Sequence, residues 1–139
     1  MHFLINMFVF FFFAPVLERK IGSSKFLLIF FLAGIVAGIG WSLTFSPTPY
    51  QLSLMHQNLF GSVGASGAIM GIFATLAVLM PKMKVYIFPL PVPIDIWIVL
   101  IFFALFDFFM IGSGDMIAHT AHLSGLFFGL LVGIWLKKT

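Results

Sequence analysis

The chain has 139 residues, 62% of them hydrophobic and 8% charged, with a formal net charge of +3 and no cysteine. Soluble domains carry about 25% charged residues, so this composition, with a mean hydropathy of +1.19, excludes an ordinary soluble enzyme, a disordered tail and a nucleic-acid binder. The absence of cysteine excludes a disulfide scaffold, a thiolate metal site and a Cys nucleophile. What remains is an all-α, polytopic membrane protein, because a run of about 20 apolar residues satisfies its backbone hydrogen bonds in hydrocarbon only as a helix.

Five apolar runs follow in chain order. The first, 3–17, is short and rich in Phe. Its positive charge comes after it, and Phe13-Ala14-Pro15-Val16-Leu17 is no Ala-x-Ala cleavage site, so it is read as a membrane helix and not as a signal peptide. The others are 26–45, 60–80, 94–111 and 116–136. Between them lie Glu18-Arg19-Lys20, Ser46-Pro47-Thr48-Pro49, Pro81-Lys82-Met83-Lys84 and Gly112-Ser113-Gly114-Asp115. No run alternates apolar and polar residues as a barrel strand does. No linker or repeat divides the chain, so residues 1–139 are expected to form one bundle of five spans.

Charge placement orients that bundle. The seven basic residues are Arg19, Lys20, Lys25, Lys82, Lys84, Lys137 and Lys138. With five spans all of them fall on one side, and the positive-inside rule makes that side cytoplasmic and puts the N-terminus outside. The net charge therefore concerns orientation and the bilayer, and nucleic acid is not an expected partner.

Polar side chains within the runs are costly in hydrocarbon and mark candidate function. His2 and Asn6 share a helix face, as do His119 and His122. His122 continues into Gly125, Gly129 and Gly133, a stripe along which another backbone can approach closely. Gly67 and Gly71, next to Ser66, form a matching stripe in the third run, and the second run has Gly34 and Gly38. Such packing would bring Ser66 within reach of His122, giving a nucleophile and the base that activates it. Asn6, His2 and the Ser66 backbone N–H are donors of the kind an oxyanion needs. Each element also has a purely structural alternative: a Ser bonded to its own helix, glycines that only pack, and a His or Asn that only braces. A metal site at His119 and His122 is not expected, since no His-Glu-x-x-His pattern accompanies them. Asp107 is a candidate proton-relay or ion site.

In order, His2-Phe-Leu-Ile-Asn6-Met7, Glu18-Arg19-Lys20-Ile21-Gly22-Ser23, Gly64-Ala65-Ser66-Gly67-Ala68-Ile69 and Ala121-His122-Leu123-Ser124-Gly125-Leu126 resemble the rhomboid family of intramembrane serine proteases. The resemblance implies cleavage of transmembrane segments in other proteins, without cofactor or metal. It makes Ser66 the nucleophile, His122 the base, and His2, Asn6 and the Ser66 amide the oxyanion hole. It assigns no carboxylate to the dyad, so Asp107 and Asp115 receive no catalytic role, and Glu18 and Arg19 are structural. It implies a six-helix core of which five helices are expected here, the chain starting where the second helix would. The 139-residue form is therefore expected to be shortened and weakly active. Met70 stands where the family often has an aromatic residue against the catalytic His.

The expected function is an intramembrane serine endopeptidase acting on single-span proteins, in the plasma membrane of a prokaryote. The alternative is an inactive rhomboid-like pseudoprotease that binds membrane helices. A small transporter centred on Asp107 and His119 is disfavoured, because the polar residues gather toward the outer helix halves. The sequence carries no expectation of oligomeric state.

Overall fold

A computed structural model describes residues 2–56, 65–86, 92–113 and 117–139, the side chains of His2 and Met55 excepted. The element order is α1 His2–Ile21, α2 Ser23–Thr44, α3 Pro49–His56, α4 Ser66–Leu79, β1 Lys84–Tyr86, β2 Pro93–Asp95, α5 Ile96–Met110 and α6 His119–Lys138. The five apolar runs correspond to α1, α2, α4, α5 and α6, and the fold is helical. By length and composition α2 and α6 can each cross a membrane, whereas α4 and α5, at 14 and 15 residues, are shorter apolar helices. Large apolar side chains such as Phe11, Leu43 and Phe109 stand more than 70% exposed. Apolar surface of that extent belongs in lipid, and the protein is an integral membrane protein.

Two elements depart from the expected connections. The segment opening with Pro47-Thr48-Pro49 is not only a break, because it starts α3. Thr48 Oγ1 accepts from the Gln51 amide N–H at 3.2 Å and Gln51 Oε1 accepts from the Thr48 amide N–H at 2.9 Å. This is a reciprocal capping box, with Pro49 at the first helical position where its missing N–H costs nothing. The stretch after Lys82 forms an antiparallel hairpin pairing Lys84 with Asp95, Val85 with Ile94 and Tyr86 with Pro93. A Lys84–Asp95 ion pair of 2.7 Å joins its open end. The fourth run therefore turns helical only at Ile96, with Ile94 and Asp95 in the strand.

The tight turn between α1 and α2 rests on Gly22, whose φ of +87° suits a residue without a side chain. Its amide bonds back to Glu18 O and its carbonyl accepts from the Phe26 amide.

The most enclosed helix is α4, which packs on α1, α2, α5 and α6. The expected glycine stripes meet: Gly125 lies against the Gly67 backbone and Gly129 against the Gly71 backbone. A methyl on Gly125 or Gly129 would fall on a backbone carbonyl, so the separation of α4 and α6 depends on their having none. The numbers rise together along both helices, so α4 and α6 run parallel. On the other side Gly67 meets Ala37 and Gly71 meets Ala33, so α2 runs antiparallel to α4. The second run's contact is not the Gly34–Gly38 pair singled out above. Gly38 has open space around it, Gly34 only ordinary contact, and the close approach is at Gly40, against Ser124. Within the α4–α6 seam Thr75 Oγ1 lies 2.9 Å from Gly71 O and 3.0 Å from Gly129 O, one hydroxyl placed between two helices.

These directions fix the two ends of the bundle. The described basic residues lie at the C-terminal ends of α1 and α6, at the start of α2, and at Lys82 and Lys84 just after the end of α4. Ser66, His122 and Asn6 lie at the opposite end.

Candidate active site

Ser66 is the first residue of α4, and His122 stands in the first turn of α6. Parallel helices locked by Gly67 and Gly125 hold these two starts side by side. The His122 Nε2–Ser66 Oγ distance is 2.9 Å. The first N–H groups of a helix have no acceptor within it, and the macrodipole adds partial positive charge there. Ser66 thus combines a hydroxyl facing an imidazole with a backbone N–H suited to a developing anion.

Behind the imidazole lies a carboxylate. His122 Nδ1 is 3.1 Å from Asp107 Oδ1, and His119 Nδ1 is 2.6 Å from the same oxygen. Asp107 is 2% exposed and His119 4%, whereas the His122 side chain is 16% exposed. A carboxylate in its ionised form only accepts; facing one, the Nδ1 atoms would donate and leave His122 Nε2 to accept from the Ser66 hydroxyl. Sequence reasoning gave Asp107 no part in the dyad, yet the fold sets it directly against the His. The signal was available: α5 ends in a turn at Met110–Ser113, and a chain that doubles back there brings position 107 level with the start of α6.

Asn6 is buried in α1. The ring of Phe13 meets that of Phe73 edge-on at 4.9 Å. Since α1 and α4 both run antiparallel to α2, they run in the same sense. Asn6 and Ser66 each lie seven residues before that ring contact, two turns or about 10.5 Å back along each helix. They therefore occupy the same level. The His2 side chain and Asp115 lie outside the described residues. Met70 is half-buried against the central apolar cluster.

Ligand atoms of Asp107, His119 and His122 lie within 4.8 Å of one another, the grouping a metal would need. Two ligands at about 2.1 Å on one tetrahedral ion stand roughly 3.4 Å apart. The 2.6 Å between His119 and Asp107 is a hydrogen-bond distance, and the cluster is accounted for by hydrogen bonding.

Comparison with known proteins bears on this geometry. The family model of the Rhomboid domain matches residues 1–139. Putative rhomboid protease YdcA of Bacillus subtilis (strain 168) is 43% identical over 72 residues, 52% of this chain and 31% of that protein. Rhomboid protein 1, mitochondrial, of Saccharomyces cerevisiae is 29% identical over 141 residues, 99% of this chain and 38% of that protein. The chain thus spans about a third of the length of these two curated relatives. No solved structure gives a significant match.

Proposed function

The chain belongs to the rhomboid family, and from that premise we propose that it is an intramembrane serine endopeptidase, hydrolysing peptide bonds in or near transmembrane segments of other membrane proteins. The observation that carries this reading is the 2.9 Å contact between Ser66 Oγ and His122 Nε2. Ser66 Oγ attacks the scissile carbonyl carbon as His122 Nε2 takes its proton. The oxyanion is met by the Ser66 backbone N–H, the Asn6 amide and His2, all donors from the same end of the bundle. Collapse of the intermediate expels the amine, which takes the proton from His122 and leaves an acyl-enzyme on Ser66. Water then attacks the ester with His122 again as base and releases the carboxylic product. The sequence calls on no metal or cofactor.

All five apolar helices cross the bilayer on this reading, the short α4 enclosed by its neighbours and the short α5 with one side toward lipid. The basic end faces the cytoplasm and the Ser66 end faces outward. The setting on this reading is the plasma membrane of a prokaryote; one relative is bacterial and the other is a yeast mitochondrial protein. A single Cys at position 84 should react with an impermeant maleimide only after the membrane is breached; reaction in intact cells contradicts this orientation.

The function is tested by incubating the purified chain with a single-span model substrate. Cleavage is expected from the unaltered chain, however slow, and none from Ser66→Ala. A folded chain that binds the substrate helix without cutting it would instead be a pseudoprotease.

A further inference from the structure

We propose that Asp107 is a positioning residue for peptide-bond hydrolysis. It fixes the His122 ring with Nε2 toward Ser66, and His119 in turn holds the carboxylate in place. This rests on the reading of Ser66 as nucleophile and His122 as base, and it adds a third and fourth member to that pair.

Three observations carry it. Asp107 is buried at the end of an otherwise apolar helix, where a carboxylate is tolerated only with donors around it. The donors are both histidines of α6, and both bond the same oxygen, Oδ1. His122 then bonds through both ring nitrogens, Nδ1 to Asp107 and Nε2 to Ser66. An imidazole alone rotates and exchanges tautomers. One held at Nδ1 by a carboxylate presents a bare Nε2, the atom that must receive the Ser66 proton. The connectivity Ser Oγ to Nε2, Nδ1 to carboxylate is that by which soluble serine proteases orient their base, reached here on an unrelated fold.

His119 divides the labour. Its contact with Oδ1 is the shorter, at 2.6 Å against 3.1 Å, and its ring packs against Phe106 at 6.0 Å. Fixed from α5 by that ring and bonded to the carboxylate, His119 keeps Oδ1 from turning away as His122 gains and loses its proton. Of these four residues, Ser66 and His122 touch the reacting atoms, and Asp107 and His119 act through His122.

The experiment is made on the full 139-residue chain in detergent micelles, with the Ser66→Ala form as reference. In ¹⁵N-histidine-labelled unaltered protein, the His122 ring should carry its proton on Nδ1 with Nε2 bare. A ring protonated on Nε2 overturns the proposal without any mutation. In Asp107→Asn, the isosteric amide can offer its NH2 to Nδ1 and so favour the other tautomer. The expectation is a loss of that signature, with kcat falling about 10²–10⁴-fold and KM changing less than about twofold. Capture of Ser66 by a fluorophosphonate should slow in step with kcat. A fall in kcat with the His122 tautomer unchanged also overturns the proposal, since that would mark Asp107 as structural. An Asp107→Asn form with unaltered kcat overturns it while the dyad stands. A Ser66→Ala form that still cleaves means that the underlying reading has failed, which the reference separates from failure of the Asp107 inference.

Discussion

The α4–α6 seam and α1 bring their groups to the same end of the molecule by opposite means. Along the seam backbone meets backbone at Gly67–Gly125 and Gly71–Gly129, and the Thr75 hydroxyl sits between both helices. There is no slack for Ser66 and His122 to separate. Among its described side chains α1 buries Ala14 and Leu17 near its far end and otherwise only Asn6. Phe3 and Phe11 stand 69% and 73% exposed, and the half that carries Asn6 is joined to α4 and α2 through the rings of Phe13 and Phe10. Ser66 and His122 are thus set by a rigid interface, while Asn6, the proposed oxyanion donor, rides on a helix held mainly by aromatic contacts. A helix so exposed on one side is suited to further protein or to lipid. Turnover should accordingly be more fragile than the dyad itself.

Three substitutions break or sharpen that contrast. The largest effect is expected from Gly129→Val, whose side chain would fall on the Gly71 carbonyl and force the seam apart. The expected outcome is loss of folded protein, measured as loss of the monodisperse peak and of helical circular dichroism in detergent; a folded, active variant would refute the tight seam. Next comes Asn6→Ala. Loss of one oxyanion donor costs about 10²–10³ in kcat, roughly 2.7–4 kcal/mol, so steady-state kinetics should show that fall with KM and fold little changed. An unaltered kcat would remove α1 from the site. The smallest is Thr75→Val, which gives up the bond to Gly129 O without moving the backbone. Denaturant titration should show about 0.5–1.5 kcal/mol of lost stability, with kcat within a few-fold. A large fall in kcat would mean that the seam transmits strain to Ser66.

Much of this arrangement is legible in the residues because it is periodic. Gly125, Gly129 and Gly133 recur at four-residue intervals beside His122, as do Gly67 and Gly71 beside Ser66, and helical spacing alone says that these stripes can close on each other. Asp107 was not legible in that way. Its partners lie 12 and 15 residues on, across a turn, and no single-helix periodicity links them. Counting back from the glycine-rich turn would have paired them. The Gly34–Gly38 spacing suggested a contact that small alanines at 33 and 37 make instead, since Ala33 and Ala37 face α4 and Gly38 does not. The helix opening at Pro49 was written in Thr48 and Gln51, a capping pair hidden by two flanking prolines. The pairing of Lys84–Tyr86 with Pro93–Asp95 was hidden as well, since each strand is three residues long and Pro93 opens the second.

The most direct measurement maps where a fluorophosphonate binds. Mass spectrometry of the labelled, digested chain should find the adduct on Ser66, and labelling should fall at least about a hundredfold in His122→Ala while that variant remains folded. An adduct on another serine, or undiminished labelling of Ser66 without His122, would contradict the activation of Ser66 by His122 on which the proposed chemistry depends.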